Sequence, residues 1–357
     1  MRVVMTLLAR DEEEVIDAQL AFHLNAGVDF VVVTDNRSQD GTSEILDAYA
    51  QEGYVHVIEE PGEDLRQAEW VTRMARLAAT ELGADWVINA DADEFWWPRG
   101  RTIKEILTAV PENFGVIPAF VENFVPRPAD GAFFAERMTV RLSPQAAIND
   151  PSSPYRPLAK LIHRADPNVR ISRGSHALIG SPLEPLGGWY PFDVLHFPIR
   201  SVEQCERKAI LQWTAFQRST RPVGTAYHGK AYEAHLLGRS HEYYDSLSVD
   251  DELLARGVAA GVLVIDTRLR DALRTLRRPQ PDGARQFLLP LGGAGRLGFA
   301  SVSNDDEARH AVDASVVDEA QLVRAHRQLD EVDNRLRRIE RAASQDEAQR
   351  VSQERRL

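Results

Sequence analysis

The run Ala84-Asp85-Trp86-Val87-Ile88-Asn89-Ala90-Asp91-Ala92-Asp93-Glu94-Phe95 separates the possible architectures most sharply. Residues 86–89 read as a short strand buried on both faces, and acids at 91, 93 and 94 follow it at once. Ahead of it, residues 66–82 place Val71, Met74, Leu77 and Ala78 on one helical face. The same alternation continues upstream. Residues 2–8 form a nearly continuous apolar run, and residues 12–26 carry Ile16, Leu20 and Leu24 at helical spacing before Gly27, a helix stop. Residues 29–34 read as a second buried strand, 35–42 as a polar turn, the stretch to Ala50 as a helix and 54–58 as a third strand. Strands alternating with helices predict an α/β fold: a Rossmann-type, mostly parallel sheet flanked by helices. Such a sheet binds its ligand at the carboxyl ends of its strands. Arg10-Asp11, Asp35 and Asp91-Ala92-Asp93 are therefore the polar groups to examine.

Beyond residue 111 the alternation weakens. Residues 114–120 read as a strand, and 126–190 as a loop-rich region with strand-like pieces at 138–142, 158–163 and 168–171. Residues 201–220, 228–247 and 262–277 read as helices, and Gly292-Gly293-Ala294-Gly295 as a break. Leu322, Ala325, Leu329, Val332, Leu336, Ile339 and Ala343 alternate spacings of three and four, which predicts a coiled-coil or docking helix over 316–343 and a route to a homo-oligomer. Residues 344–357 carry no apolar stripe.

Composition narrows the function classes. A chain of 357 residues with 43% hydrophobic and 27% charged residues is of ordinary globular type. A formal net charge of -12 disfavours nucleic acid as a partner, since phosphate backbones call for a basic face. The single cysteine, Cys205, excludes an internal disulfide framework and suits a reducing, cytoplasmic setting. The first apolar run is too short for a signal segment, and no run is long enough to span a bilayer, so the expectation is a soluble protein, peripheral to a membrane at most.

Asp91 and Asp93, at i and i+2 after a strand, can reach one hard cation where the strand end turns, a pattern suited to Mg2+ or Mn2+. The plain alternative is a solvated acidic turn; the preceding strand and the following Phe95-Trp96-Trp97 favour the metal. Asp35, at the tip of the second strand, could accept a hydrogen bond from a base or ribose, with Arg10-Asp11 closing the other side and Asp40 or Thr42 capping the next helix. His196, at a strand end with Arg200 close behind and Lys208 two turns on, suits a metal plus a diphosphate. The histidines show no zinc spacing and the acids no calcium-loop pattern.

Residues 8–13, 31–42 and 84–95, Gly174-Ser175-His176 and residues 196–204 together resemble the family 2 glycosyltransferases, in the branch similar to family 92, over roughly residues 3–275. The resemblance implies a GT-A fold, a nucleotide-diphosphate sugar donor (often UDP-linked), Mn2+ or Mg2+ on the DxD, and inversion at the anomeric carbon. It implies that Asp35 contacts the nucleoside, that Asp91 and Asp93 lie at the ribose and metal, and that Gln67 lines the donor pocket. It also puts His196 at the metal or diphosphate, with Arg200 nearby. Residues 1–110 would then form the nucleotide-sugar half, 111–247 the acceptor half, 248–300 a helical and loop extension and 301–357 the C-terminal helix. The acceptor, whether glycan, lipid-linked or small molecule, has no short motif. The catalytic base is open among Glu122, Asp150 and Asp193, with Glu122 preferred because it follows the strand after the DxD. Arg37 departs from the small or acidic residue expected in its turn. A nucleotidyltransferase or a dinucleotide-dependent oxidoreductase would want a glycine-rich loop that Leu8-Ala9-Arg10-Asp11-Glu12 lacks, and a coiled-coil scaffold would leave the polar strand ends unexplained.

Overall fold

The first strand is polar only at Thr6, because its alternate residues enter two different cores. Val3, Met5 and Leu7 pack with Leu20 and Phe22, while Val4 packs with Val71, Met74 and Ala78. A computed structural model describes residues 1–62, 66–128, 131–146, 153–155, 158–218 and 226–276. The chain runs β1 (Val3–Ala9), α1 (Ile16–Ala26), β2 (Phe30–Asp35), α2 (Thr42–Gln51), β3 (Val55–Glu59), α3 (Gln67–Thr80) and β4 (Trp86–Asp91). It continues through β5 (Glu94–Pro98), α4 (Ile103–Ala109), β6 (Phe114–Asn123), α5 (Phe134–Arg137), β7 (Val140–Leu142), β8 (Ala159–Arg164), β9 (Glu184–Pro185) and β10 (Phe192–His196). Then follow α6 (Val202–Arg218), α7 (Ala226–Leu236), α8 (Ser240–Leu247), α9 (Asp251–Ala259), β11 (Leu263–Ile265) and α10 (Arg268–Leu276).

One nine-stranded sheet has the order β3-β2-β1-β4-β8-β6-β10-β5, with β9 beside β6. β1, β2, β3 and β4 are mutually parallel, and β6 is parallel to β9 and β10. β8 runs antiparallel between β4 and β6, and β5 antiparallel to β10. The sheet therefore crosses residue 110 without interruption, and the four strands read from the sequence stand where the alternation puts them. β1 ends at Ala9, β2 at Asp35 and β4 at Asp91, all on one edge. β1 lies between β2 and β4, so the chain leaves it to opposite sides and a crevice opens there.

Local chemistry accounts for several boundaries. Gly27 ends α1 in the left-handed conformation (φ 117), donating its N–H to His23 O. α1 begins at Ile16 rather than 12, because the preceding amides face the β2–α2 loop: Glu12 donates to Thr42 Oγ1 and Glu13 to Asp40 Oδ2. Residues 228–247 break into α7 and α8 at Gly238 (φ 68). Residues 262–277 are helical only from Arg268, since residues 263–265 pair with β7. Residues 168–171 hold a single bridge, Ile171 to Leu178, instead of a strand. Phe95-Trp96-Trp97, noted above as following the acids, belong to an edge strand, Glu94–Pro98, whose five residues are all buried. Asp150, the glycine break at 292–295 and the heptads of 316–343 lie outside the described residues. No described helix is long and apolar enough to cross a membrane.

Candidate functional site

A pocket of about 200 Å³ lies at the carboxyl ends of β1 and β4. The end of β1 and the turn after it (Leu8 to Glu12) form one wall, Gln67 and Trp70 of α3 another, and Asp91, Ala92 and Asp93 the floor. His196 closes the β10 side, and Gln204, Arg207, Lys208, Leu211 and Gln212 of α6 close the remaining one.

The turn beside β1 is held under strain. Asp11 takes φ 55, a left-handed conformation uncommon for a residue with a side chain. Its amide donates to Ser38 Oγ at 3.1 Å and its Oδ1 accepts the Gln39 amide at 2.7 Å. Arg37, in the facing turn, is also left-handed (φ 59). Asp35 does not line the pocket. Its Oδ1 accepts the amide and hydroxyl of Ser38 (3.1 and 2.6 Å) and its Oδ2 the Ser43 hydroxyl (2.8 Å), so both oxygens organise the turn. The neighbouring Asn36 lines the pocket instead, accepting from Arg10 Nη1 at 3.0 Å and donating to the carbonyls of Glu60 and Gly62.

The acids at the end of β4 each meet a lysine. Asp91 accepts from Lys160 Nζ (2.8 Å) through Oδ2 and from Gln67 Nε2 (3.2 Å) through Oδ1. Lys160 also pairs with Glu94 Oε1 at 2.7 Å. Asp93 Oδ2 accepts from Lys208 Nζ at 2.7 Å and lies 3.8 Å from Arg200 Nη1. Burial alone would raise Asp93, but the neighbouring cations, Lys208 foremost, outweigh it and hold the carboxyl well below its usual range. Glu94 goes the other way: burial, with Asp91 and Asp93 close by, prevails over Lys160 and pushes it up to about 8.

His196 Nδ1 lies 2.8 Å from Asn123 Oδ1, which can only accept, so a neutral ring carries its proton there. Burial pushes this imidazole down to about 4. Its Nε2 then presents a lone pair, 3.7 Å from Asp93 Oδ2, another acceptor. Two lone pairs across that gap suit a cation, and in the pocket as it stands Lys208 Nζ supplies one to Asp93 Oδ2 at 2.7 Å. Among the described residues, Asp93, Glu94 and His196 present one ligand atom each within 4.8 Å of one another. The Asp93 carboxylate and the His196 imidazole are of the kind that suits a hard divalent ion. Asp91 lies outside this group, with Oδ2 on Lys160 and Oδ1 on Gln67, while Glu94 within it accepts from Lys160 and from the Asp91 amide.

Other expected residues stand elsewhere. Arg200 is 1% exposed and lies behind the pocket, ion-paired with Glu12 and donating to Phe197 O, so it fixes the floor without lining it. Glu122 pairs in register with Leu195 while Asn123 pairs with His196, so Glu122 points to the opposite face of the sheet from the site. There Glu122 meets Arg141 (2.6 Å), and Arg141 meets Asp266 (2.8 Å). Arg268 joins Asp266 to Asp193 (2.7 Å each), and Arg99 completes the chain at Asp193 (2.5 Å). Neither Glu122 nor Asp193 lines the pocket. Glu122, preferred above as the base, and Asp193 are both links of a buried ionic clamp outside the pocket. Lys160 and Glu94 were not singled out from the sequence. A lysine inside the apolar piece at 158–163 and a third acid beside the DxD were the available signals.

Residues 6–118, under half of the chain, match the model of glycosyltransferase family 92. Among solved structures, S. aureus TarS is similar at 13% identity and a TM-score of 0.32, covering 67% of this chain and 43% of that one. S. aureus TarS 1-349 in complex with UDP-GlcNAc aligns at 14% identity, TM-score 0.33, covering 68% of this chain and 73% of that one. The mannosyltransferase PcManGT from Pyrobaculum calidifontis, in complex with GDP-Man and Mn2+, aligns at 18% identity, TM-score 0.31, covering 77% and 79%. This chain spans 43% of the length of the first of these. No curated protein matches the sequence. The family match agrees, over residues 6–118, with the resemblance read from the motifs.

Proposed function

We propose, from the standing of residues 6–118 among the glycosyltransferases, that this chain moves a sugar from a nucleotide-diphosphate donor to an acceptor hydroxyl with a divalent cation, Mn2+ or Mg2+, at Asp93 and His196. One observation carries the reading: Asp93 Oδ2 and His196 Nε2 lie 3.7 Å apart in the pocket at the strand ends. The cation, when bound, supplies positive charge against which the leaving diphosphate develops its negative charge.

The chain's own residues supply the rest. Asn123 fixes the His196 tautomer, and Arg200 and Glu12 brace the Asp93 carboxylate from behind. Lys208 and Arg10 put further positive charge at the pocket wall, where it favours the leaving group more as the sugar–phosphate bond opens. Gln67 and Asp91 lie bonded to each other at the base of α3 and suit the donor's polar groups, with Leu8, Trp70 and Leu211 as the apolar part of the lining. A UDP-linked donor and inversion are what the family resemblance supports. The buried, free Cys205 suits a reducing compartment.

The test is turnover of UDP- and GDP-linked sugars by the full chain, in Mn2+ and in chelator. Asp93→Asn should abolish the metal-dependent turnover while leaving the melting transition in place. Turnover unchanged by that substitution would remove the reading.

A further inference from the structure

Three cations surround the acids of the site, and their freedom differs. The Lys160 side chain is 4% exposed and held by both Asp91 and Glu94. Arg200 is 1% exposed and held by Glu12 and a backbone carbonyl. Lys208 is different: its side chain is 27% exposed, it lines the pocket, and its hydrogen bond goes to Asp93 Oδ2 at 2.7 Å. That oxygen is the one that faces His196 Nε2. Lys208 therefore occupies the same Asp93 oxygen that a divalent ion held by Asp93 and His196 would use. An ammonium and a divalent cation cannot share it, because they would stand within a few ångströms of one another in a partly desolvated pocket.

The geometry points to Lys208 as an internal stand-in for the metal. In the metal-free pocket its ammonium neutralises Asp93. When the divalent ion binds, Lys208 is displaced from Asp93 and its flexible stem carries the charge into the pocket. A diphosphate bound there takes up the released ammonium as a point-charge partner. Metal and nucleotide binding are thereby coupled: the ion pays the loss of the Lys208–Asp93 pair when alone, and the diphosphate makes up for it when both are present. This inference rests on the metal site of the proposed function and adds the residue that makes metal affinity depend on nucleotide.

The experiment is Mn2+ binding to the full chain, followed by the loss of the free-ion electron paramagnetic resonance signal. It is done without nucleotide and with saturating UDP or GDP, for wild type, Lys208→Met and Lys208→Arg. Without nucleotide, Lys208→Met should bind Mn2+ on the order of tenfold tighter than wild type, while Lys208→Arg, which keeps the charge, stays weak. Adding nucleotide should tighten Mn2+ binding to wild type by a similar factor and to Lys208→Met by clearly less. Equal or weaker Mn2+ binding by Lys208→Met without nucleotide overturns the inference and leaves the metal site standing. An absence of Mn2+ binding in all three proteins, with or without nucleotide, overturns the metal reading itself and this inference with it. Coincident melting curves for the three proteins establish that the comparison is between folded chains.

Discussion

Replacing Asp193 with Ala separates a structural clamp from a catalytic base. Asp193 is fully buried on β10; its Oδ1 accepts from Arg99 (2.9 Å from Nε, 2.5 Å from Nη2) and its Oδ2 from Arg268 Nη1 at 2.7 Å. Both guanidinium groups are themselves largely buried, at 13% and 14% side-chain exposure. Removing the carboxylate leaves two buried cations short of their counter-charge, a loss of about 3–5 kcal/mol for a broken buried pair. At about 2–4 °C per kcal/mol for a large domain, the melting temperature should fall by roughly 6 °C or more. Asp193→Asn retains an acceptor and should lose less. Calorimetry or circular dichroism measures the melting, and release of nucleoside diphosphate from the donor measures turnover below the transition. Turnover should stay within a few-fold of wild type in the folded fraction. A base would behave in the opposite way, losing roughly a hundredfold to ten-thousandfold in rate with stability intact. Asp193→Ala melting with wild type but inactive would refute the clamp.

Further expectations follow from other sites. His23 Nε2 accepts the Trp96 amide at 2.9 Å, which places its proton on Nδ1 against Gln19 O, and burial pushes the ring down to about 3. The unfolded chain takes up that proton first, near pH 6.5, so this group's contribution to stability is full above pH 6.5 and is lost as the pH falls toward 3. The His23 ring resonances should therefore stay flat from pH 8 to about 4 in a nuclear magnetic resonance titration; a midpoint near 6.5 contradicts the tautomer. Gly257→Ala would bring a Cβ within 2.4 Å of Leu263 Cδ1, forcing α9 off β11 at a cost of about 1–3 kcal/mol by urea unfolding. Lys160→Met should cost about 3–5 kcal/mol, because Asp91 and Glu94 lose the buried cation they share; unfolding identical to wild type would show that the pair is already relaxed by water.

The parallel half of the sheet was legible because burial on both faces leaves a signature in single residues. β1, β2 and β4 are largely apolar runs without alternation, and Gly27 marks a left-handed turn where a helix stops. Strand polarity then placed the polar ends, so the pocket was found before its walls. What stayed hidden depended on partners far away in sequence. Asp91 and Lys160 are 69 residues apart, and Asp93 and Lys208 are 115. No spacing rule links them. Glu122 and Asp193 looked like free carboxylates because Arg99, Arg141 and Arg268 reach them only through the folded sheet. Asp35 looked like a ligand for a nucleoside because a hydroxyl three residues on, and another eight residues on, fold back onto it only once α2 has formed. β5 was unreadable for another reason: Phe95-Trp96-Trp97 is apolar whether it walls a pocket or fills an edge strand, and only pairing with β10 decides.

The most direct test of the account is isothermal titration of UDP and GDP into the full chain, with Mn2+ and with chelator, for wild type, Asp93→Asn and His196→Ala. The geometry of Asp93 Oδ2 and His196 Nε2 predicts that one nucleoside diphosphate binds wild type in Mn2+ and weakens at least tenfold in chelator. It predicts that each substitution removes the Mn2+ dependence while the melting transition persists. Binding of equal strength with and without Mn2+, unchanged in both variants, would contradict a cation held between these two side chains.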